Sequence, residues 1–360
     1  MPCQSLPPPC RMAISMKHFI IPVFIPHLGC PHACVFCNQA SITAVDRAMS
    51  PLIRGADVLA IARKHLATLP EGERVVELSF FGGTFTGIPI ALQEELLSAA
   101  ETLLEEGSVS HIRCSTRPDF IDEAVLKRCQ SYGMDIMELG VQSLDDGVLR
   151  QSGRGHDRLA VERASRLIKD HGIRLGHQIM PGLPGANRES DIATARASIA
   201  MAPDEVRIYP TLVVEDTPLA ELFRSGAFQP LTLDNAVELT QEIMGHYEEA
   251  GIKIIRVGLQ ATEEISPNGS LLAGPYHPAF KELVLSFRLN EKIRKALTAS
   301  REPLELVIHP KDLSVLYADK KRYFRQHQES LAGVLQDEGV QRGSILLRRK
   351  KGDLFNVLCI

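Results

Sequence analysis

The chain has 360 residues, 44% of them hydrophobic, and a formal net charge of −4 at pH 7. This composition allows a large buried core, and the small net charge gives no indication of a polyanionic or membrane partner. No apolar run approaches the roughly 18 to 20 residues of a membrane span, and the 8 cysteines are scattered, which favours a reducing, cytoplasmic compartment.

Residues 1–17 are predicted to lie outside the fold. The first 15 residues hold four prolines and two cysteines, without the cationic start and apolar segment of a secretory signal. We expect a disordered tail or an incorrectly assigned start, with Met16 as the true initiator. Cys3 and Cys10 are therefore poor candidates for metal ligands.

Apolar strand-like segments alternate with amphipathic segments through the next 240 or so residues. The predicted strands are 19–25, 75–83, 111–118, 136–143, 173–185, 205–214 and 252–260. The predicted helices are 55–69, 91–106, 122–133, 157–172, 189–202 and 233–251. Such alternation implies parallel strands joined by helical crossovers. About six such units are too few for a closed barrel, so the sequence predicts an α/β fold, a partial (β/α)6 TIM-like barrel.

The pattern changes after residue 262. A helix at 281–297, short strands and a hairpin around "RRKKGDLF" predict a small α+β C-terminal appendage. The predicted domains are therefore a tail at 1–17, a barrel at 18–262 and an accessory region at 263–360.

Three cysteines, Cys30, Cys34 and Cys37, follow the first predicted strand in "HLGCPHACVFCNQ". Thiolates at this spacing can hold three corners of an iron-sulfur cubane and leave one iron open to another ligand. The alternatives are a zinc site completed by His32 or His27, or simply buried thiols. In a barrel of this kind, chemistry lies at the carboxyl ends of the strands, where this loop falls.

The cysteine loop, with Phe36 between its last two cysteines, resembles that of the radical S-adenosylmethionine (SAM) enzymes. The resemblance implies a [4Fe-4S] cluster on the three cysteines, with SAM chelating the open iron. It further implies reductive cleavage of SAM to methionine and a 5'-deoxyadenosyl radical that abstracts a hydrogen atom. The expected metal ligands are thus Cys30, Cys34 and Cys37, and Phe36 is expected beside the cofactor.

A second motif, "FFGGTF", ends the second predicted strand. Its glycines, Gly82 and Gly83, allow a close approach of the backbone, and Thr84 offers a hydroxyl group. A Gly-Gly turn alone is weak evidence, but its position matches the motif that binds the SAM amino group in the radical SAM enzymes. We therefore expect these three residues to bind SAM.

Further segments are similar to the radical-SAM half of the catalytic subunit of Elongator, the complex that modifies wobble uridine in tRNA. They are "STRPD", "ELGVQS", "GRGH", "HQIMPGLPG" and "RIYPTLVV", and the similarity covers roughly residues 18–230. It implies that Gln142 and Arg154 approach the ribose and carboxylate of SAM, with Gln178 and Ser115 in the same pocket. The alternatives are that the two glutamines are ordinary barrel-interior polar groups and that Arg154 is a surface charge capping a helix.

Two departures from that branch stand within these motifs. Ser115 replaces a glutamate before "TRPD", so one carboxylate contact to SAM is absent or supplied elsewhere. Arg207 replaces a lysine before "YPTLV", which keeps the charge but changes its geometry. Because no acetyltransferase domain is recognisable, we do not expect the acetyl-transfer half of Elongator chemistry.

The resemblance implies a radical SAM enzyme that acts on RNA, tRNA in particular, and takes an electron from a donor such as flavodoxin or ferredoxin. A small-molecule or protein substrate is the alternative, and a non-catalytic module binding metal and nucleic acid is a second. Membrane partners are not expected, and no oligomeric state is predicted.

Residues 301–360 carry 11 Lys and Arg against 8 Asp and Glu. The basic residues concentrate in "KKRYFR" (320–325) and "RRKK" (348–351), the first interleaved with Tyr323 and Phe324. Such a mixture suits phosphate neutralisation and base stacking, although a solvated helix and hairpin tip would have the same composition.

Overall fold

The computed structural model describes residues 17–25, 29–31, 34–38, 52–259, 266, 269–300, 302–349 and 353–359. Outside the described residues lie the predicted N-terminal tail and the side chains of His27, His32, Lys350 and Lys351. The chain divides into two compact units, one reaching Pro278 and one starting at Ala279. The domain assignments 1–17, 18–262 and 263–360 stay a prediction.

A curled parallel sheet forms the centre of the first unit. The strands of this unit are β1 (Lys17–Ile25), β2 (Arg74–Gly82), β3 (His111–Thr116), β4 (Ile136–Gln142), β5 (Arg174–Ile179), β6 (Glu205–Ile208), β7 (Val213–Val214), β8 (Lys253–Val257) and β9 (Leu271–Ala273). The parallel sheet has the order β1-β2-β3-β4-β5-β6-β8, and β7 pairs with β9. Because the strands follow one another in chain order, the predicted partial barrel is confirmed.

Helices connect the strands and cover the outer face of the sheet. They are α1 (Gly55–Leu66), α2 (Ile90–Glu105), α3 (Glu123–Ser131), α4 (Asp146–Gln151), α5 (Arg158–Asp170), α6 (Arg188–Ala200), α7 (Pro218–Arg224) and α8 (Leu233–Glu249). Polar N-cap residues fix several helix starts: the Asp122 carboxylate accepts the Val125 N–H at 2.8 Å before α3. Within the described ranges, no helix is both long and apolar enough to cross a membrane.

The two faces of the sheet differ in chemistry because successive side chains on a strand alternate between them. Ile112, Leu139 and Leu175 are fully buried on the helix-covered face. The opposite, concave face carries polar and charged side chains, among them Glu77, Arg113, Ser115, Glu138, Gln178 and Arg207. An apolar core therefore anchors the strands and leaves a polar interior for chemistry.

The second unit is a small α+β fold. Its elements are α9 (Phe280–Ala299), β10 (Leu304–Ile308), α10 (Leu313–Leu316), α11 (Ala318–Lys321), β11 (Leu331–Gln336), β12 (Ser344–Arg349) and β13 (Leu354–Cys359). The sheet order is β11-β10-β12-β13, and α9 packs Leu289 and Ile293 into its core. The predicted C-terminal helix and the β12–β13 hairpin are thereby confirmed.

The aromatic residues of "KKRYFR" do not face solvent. Tyr323 is 6% exposed and Phe324 is 5% exposed, and the ring of Phe324 meets that of Tyr317 edge-on at 4.9 Å. Burial of these rings completes the core of a small unit. The prediction that they stack on bases is therefore wrong, whereas Lys320 and Arg325 are exposed as predicted for a basic surface.

Candidate functional site

The cysteine loop follows β1 at the carboxyl end of the sheet. Cys30 Sγ lies 3.1 Å from Thr84 Oγ1, across 54 positions of chain. Cys34 is buried, and its carbonyl accepts the N–H of Cys37 at 3.1 Å. The three predicted metal ligands thus lie on one short loop that is in contact with the motif after β2.

Two other segments hold the middle of this loop. Val35 N–H donates to the carbonyl of Ser152 at 3.0 Å, and the Val35 carbonyl accepts the N–H of Leu219 at 2.8 Å. Val35 and Phe36 pack against an apolar cluster that includes Leu219 and Phe228. Backbone bonds on both sides of Val35 therefore fix the loop between the end of α4 and the start of α7. The cofactor contact expected of Phe36 stays a prediction.

The "GGT" motif packs directly against the end of β1. The Gly83 N–H donates to the carbonyl of Ile25 at 2.8 Å, and Thr84 is 1% exposed. Gly29, before Cys30, has φ +74°, and a Cβ there would lie 2.2 Å from the Thr84 carbonyl oxygen. Only glycine fits this approach, so the structure brings Gly82, Gly83 and Thr84 beside Cys30.

Arg154 is a buried side chain of the site, 7% exposed, and not a surface charge. Its Nη1 lies 3.5 Å from Cys34 Sγ, and its Nη2 donates to the Gly140 carbonyl at 2.6 Å. A Cβ on Gly140 would come within 2.6 Å of Nη2, so glycine leaves room for the guanidinium. Among the described residues, Nε of Arg154 has no hydrogen-bond partner. The helix-capping alternative is therefore wrong.

Gln142 and Gln178 meet on the concave face. Gln178 Nε2 donates to Gln142 Oε1 at 3.2 Å. Gln142 has φ +66°, an unusual conformation for a residue with a side chain, at the end of β4. Its carbonyl still accepts the Met180 N–H at 2.8 Å, so the strained turn is held by β5. The hydrogen bond between Gln178 and Gln142 is expected if the two glutamines bind SAM. It is equally expected if they are ordinary polar groups of the barrel interior.

Ser115 contacts a carboxylate on the neighbouring strand. Its hydroxyl donates to Glu138 Oε1 at 3.1 Å, and Arg207 Nε donates to Glu138 Oε2 at 2.5 Å. Arg207 Nη1 donates to the Tyr209 hydroxyl at 3.2 Å, and the guanidinium lies 5.2 Å from the Phe81 ring centre. The Glu138 carboxylate thus lies next to Ser115, the position at which the Elongator-like branch has a glutamate.

Arg113 lies deeper on the same face and is 1% exposed. It forms ion pairs with Glu77, Glu138 and Glu205. Burial by itself would lower the pKa of Arg113, but the charges of Glu138 and Glu77 raise it. Burial would likewise raise the pKa of Glu77, but its hydrogen bonds and Arg113 hold it well below its usual range. Arg113 and Glu77 therefore stay charged within this buried network.

The "STRPD" and "GRGH" motifs meet beside the site. Arg117 forms a bidentate pair with Asp119, at 3.0 Å from Nε and 2.9 Å from Nη2. His156 Nδ1 lies 3.9 Å from Asp119 Oδ1. Burial, followed by the charge of Arg154, lowers the pKa of His156 to about 3, so the imidazole is neutral. The loop that carries Arg154 therefore lies next to the end of β3 without an ion pair between His156 and Asp119.

Asp191 supports the "PGLPG" turn from α6. Its Oδ2 accepts the N–H of Gly182 at 2.9 Å, and the residue is 5% exposed. Burial raises the pKa of Asp191 to about 7, against the opposing effect of that hydrogen bond. The turn after β5 therefore depends on a carboxyl group that titrates near neutral pH.

Cys114 and Cys129 behave as packing residues. Both are fully buried away from the cysteine loop. Burial raises the pKa of the Cys114 thiol well above its usual value and that of Cys129 to about 12. Neutral buried thiols of this kind are inert.

The three cysteine thiols are ligands of the type that holds iron-sulfur clusters. Three thiols lie on one loop, and the Arg154 guanidinium complements the negative charge of a metal-bound thiolate at Cys34. In the parts of the chain that the structure describes, no three His, Cys, Asp or Glu side chains are gathered closely enough to hold a metal ion. Ligation by these thiols therefore requires small movements of the loop.

Some residues of this site were not expected from the sequence. Glu138 lies within the quoted motif "ELGVQS", yet its contacts with Ser115 and Arg207 depend on the order and register of β3, β4, β5 and β6. A glutamate inside an apolar strand is the signal that could have indicated it. Ser152 and Leu219 act through backbone groups, for which a single sequence gives no signal.

A cavity of about 620 Å³ near these motifs does not coincide with the site. It lies beside α3 and is bordered by Thr86, Asp119, Phe120 and Arg128. None of the predicted site residues lines it.

Two family models match the chain. The model of the radical SAM superfamily matches residues 24–197, and the model of the radical SAM C-terminal domain matches residues 203–289. Together they include all the strands of the curled sheet except β1, of which they match only Phe24 and Ile25. They also include Cys30, Cys34 and Cys37.

Curated relatives and a solved structure extend the similarity. A tRNA uridine(34) acetyltransferase of Dehalococcoides mccartyi is 31% identical over 232 residues, 56% of this chain and 50% of that protein. Human Elongator complex protein 3 is 28% identical over 259 residues, 61% of this chain and 47% of that protein. An N-terminally truncated Elp3 of Methanocaldococcus infernus has the same fold, with a TM-score of 0.60 and 23% identity over 78% of this chain and 64% of that one. The chain spans about half the length of the curated relatives it matches.

Proposed function

Because the chain belongs to the radical SAM superfamily and is an enzyme of that superfamily, we propose that it cleaves SAM reductively to modify a nucleotide of tRNA. Cys30, Cys34 and Cys37 would hold the [4Fe-4S] cluster. The observation that carries this proposal is that two of the three thiols each contact a different motif: Cys30 contacts Thr84 of "GGT", and Cys34 contacts Arg154 of "GRGH".

The cluster, when bound with SAM, supplies the electron that cleaves SAM to methionine and the 5'-deoxyadenosyl radical. The protein's own residues bind and orient the cosubstrate. Thr84 offers a hydroxyl, and Gly82 and Gly83 offer backbone groups, for the amino group of SAM. Arg154 has a buried Nε without a partner among the described residues, a donor suited to the SAM carboxylate.

Gln142, Gln178 and Ser115 would complete the pocket on the concave face. The two glutamine amides already hold each other, so their free amide groups are oriented before a ligand arrives. Ser115 carries no charge, and Glu138 at 3.1 Å supplies the carboxylate that the serine lacks. Phe36 packs against the apolar cluster of Leu219 and Phe228, and its ring would exclude water from the bound cofactor.

The relatives support tRNA as the substrate class, since one is named for modification of uridine 34 of tRNA. Exposed basic residues of the second unit, Lys320, Arg325 and Arg349 among them, offer a surface for phosphates. We propose that the enzyme works in the cytoplasm with a flavodoxin or ferredoxin as electron donor. The acetyl-transfer activity named for the relatives is not part of this proposal.

The test is an anaerobic reaction of the reconstituted protein with unmodified tRNA, SAM and reduced flavodoxin. Digestion and mass spectrometry of the nucleosides should reveal a new modified nucleoside that forms together with 5'-deoxyadenosine. Release of 5'-deoxyadenosine without any change in tRNA would favour a small-molecule or protein substrate. A protein that binds tRNA but never releases 5'-deoxyadenosine would be a non-catalytic module.

A further inference from the structure

Arg256 lies on β8, the strand at the end of the curled sheet. It is the register partner of Arg207 on β6, so both side chains lie on the same, concave face. Arg256 is only partly buried, and it makes no hydrogen bond or ion pair with any residue in the described part of the chain. In the part of the chain that the structure describes, this inward-facing cation at the sheet edge has no carboxylate partner.

The neighbouring Arg207 is fixed and incompletely paired. It is 7% exposed, and Glu138 and Tyr209 hold its Nε and Nη1. Its Nη2 is buried and has no partner among the described residues. The Tyr209 hydroxyl, which accepts from Arg207, keeps its own proton available for a further acceptor.

Glu77, Glu138 and Glu205 balance Arg113, Arg207 and Arg256 in number, but all three carboxylates contact Arg113. Glu138 is the carboxylate of Arg207, but it is shared with Arg113. Arg113 has two further carboxylates, Glu77 and Glu205, whereas Arg207 and Arg256 have none of their own. Neighbouring strands lie about 5 Å apart, so one anionic group entering at the edge of β8 would complement both guanidinium groups.

We propose that Arg256, Arg207 and Tyr209 form a subsite for a phosphate of the nucleic acid substrate, next to the nucleotide that is modified. This inference rests on the proposed tRNA substrate. Two forked donors and a hydroxyl match the tetrahedral oxygens of a phosphodiester. Arg256 meets the phosphate at the edge of β8, and Arg207, held by Glu138, supplies a second, fixed donor.

The test compares anisotropy titrations of a fluorescent, unmodified tRNA transcript with the full-length protein and three variants, Arg256→Gln, Arg256→Lys and Arg196→Gln. Arg196 is exposed on the outer helix α6, so its variant removes the same charge far from the concave face. We expect Arg256→Gln to bind about tenfold more weakly than Arg196→Gln. The slope of log K against log salt should fall by about one. Arg256→Lys should bind the tRNA with intermediate affinity, because lysine keeps the positive charge but lacks the two parallel nitrogen donors of the guanidinium group.

A second measurement on the unaltered protein keeps the proposal testable even if Arg256→Gln fails to fold. Ethylation of a tRNA phosphate adjacent to the modified nucleotide should block binding of the tRNA. If only the ethylation of distant phosphates blocks binding, the subsite is overturned. Equal affinities and salt slopes for Arg256→Gln and Arg196→Gln would overturn the subsite and leave the proposed function standing. Absence of any salt-sensitive tRNA binding by the unaltered protein would overturn the proposed tRNA substrate itself, and the subsite with it.

Discussion

Arg154 Nη1 lies 3.5 Å from Cys34 Sγ, although 120 positions separate the two residues in the chain. The same guanidinium donates through Nη2 to the Gly140 carbonyl at 2.6 Å. The backbone of β4 therefore fixes a cation beside one of the three loop thiols. This contact joins the cysteine loop to the sheet at the point where the cosubstrate is expected.

The first prediction concerns this cation. Arg154→Gln should reduce the rate of SAM cleavage by at least about tenfold, because it removes a charged donor from a buried site. Release of 5'-deoxyadenosine by the reconstituted protein gives the rate. Arg158→Gln is the matched control, since Arg158 is an exposed helix residue paired with Glu162. If both variants cleave SAM at the unaltered rate, Arg154 has only a structural role.

A second prediction follows from the space that Gly140 leaves. In Gly140→Ala the new Cβ would meet the Arg154 Nη2 at 2.6 Å and Gln142 Nε2 at 2.8 Å. Both atoms are ends of flexible side chains, so the barrel should fold while the guanidinium is displaced and SAM cleavage falls as in Arg154→Gln. Gly245→Ala, in α8 with no atom near its Cβ, should keep full activity and raise stability by up to about 1 kcal/mol. Unchanged cleavage by Gly140→Ala would mean that the position of Arg154 is not critical.

The fold could be predicted from the sequence because it depends on local patterns of residues. Strands, helices and their order follow from hydrophobic periodicity and from turn residues, and the parallel sheet follows from their alternation. The cysteine loop and "GGT" motif were also predictable, since both lie at strand ends. The side-chain partners were not: that Ser115 meets Glu138 depends on strand register, and that Tyr323 is buried depends on the packing of α9 through Phe287.

The third prediction uses the raised pKa of Asp191, about 7 against an ordinary value of 3.8. Between these two values the folded state binds the proton more tightly than the unfolded state, so this residue's contribution to stability falls as pH rises and levels off above pH 7. Asp191→Asn removes this loss and keeps an acceptor for the Gly182 N–H. Its free energy of unfolding relative to the unaltered protein should rise by at most about 1.4 kcal/mol per pH unit from pH 5 to 7.

Urea unfolding at pH 5, 6, 7 and 8 measures this difference directly. The buried His156 acts in the opposite direction, because its pKa is lowered to about 3, but it cancels when the two proteins are compared at each pH. A difference in unfolding free energy that stays constant from pH 5 to 8 would show that Asp191 titrates at an ordinary pKa.

The fourth prediction concerns the second unit, where Phe324 forms part of the core. Phe324→Ala should lower the free energy of unfolding of this unit by about 3–5 kcal/mol, because it leaves a cavity under Tyr317. Leu354→Ala, at a side chain that is 46% exposed, should change it by about 0.5 kcal/mol or less. A Phe324→Ala protein with unaltered stability and weakened RNA binding would restore the base-stacking role.

The most direct test measures 5'-deoxyadenosine after reduction of the anaerobically reconstituted protein in the presence of SAM. The unaltered protein and Cys359→Ala, which changes an exposed thiol of the second unit, should be brown and release 5'-deoxyadenosine. Cys30→Ala, Cys34→Ala and Cys37→Ala should each lose the cluster absorbance and the product while keeping their far-ultraviolet circular dichroism. A colourless unaltered protein containing one zinc ion, or a Cys34→Ala variant with full absorbance and normal product, would contradict the cluster assignment.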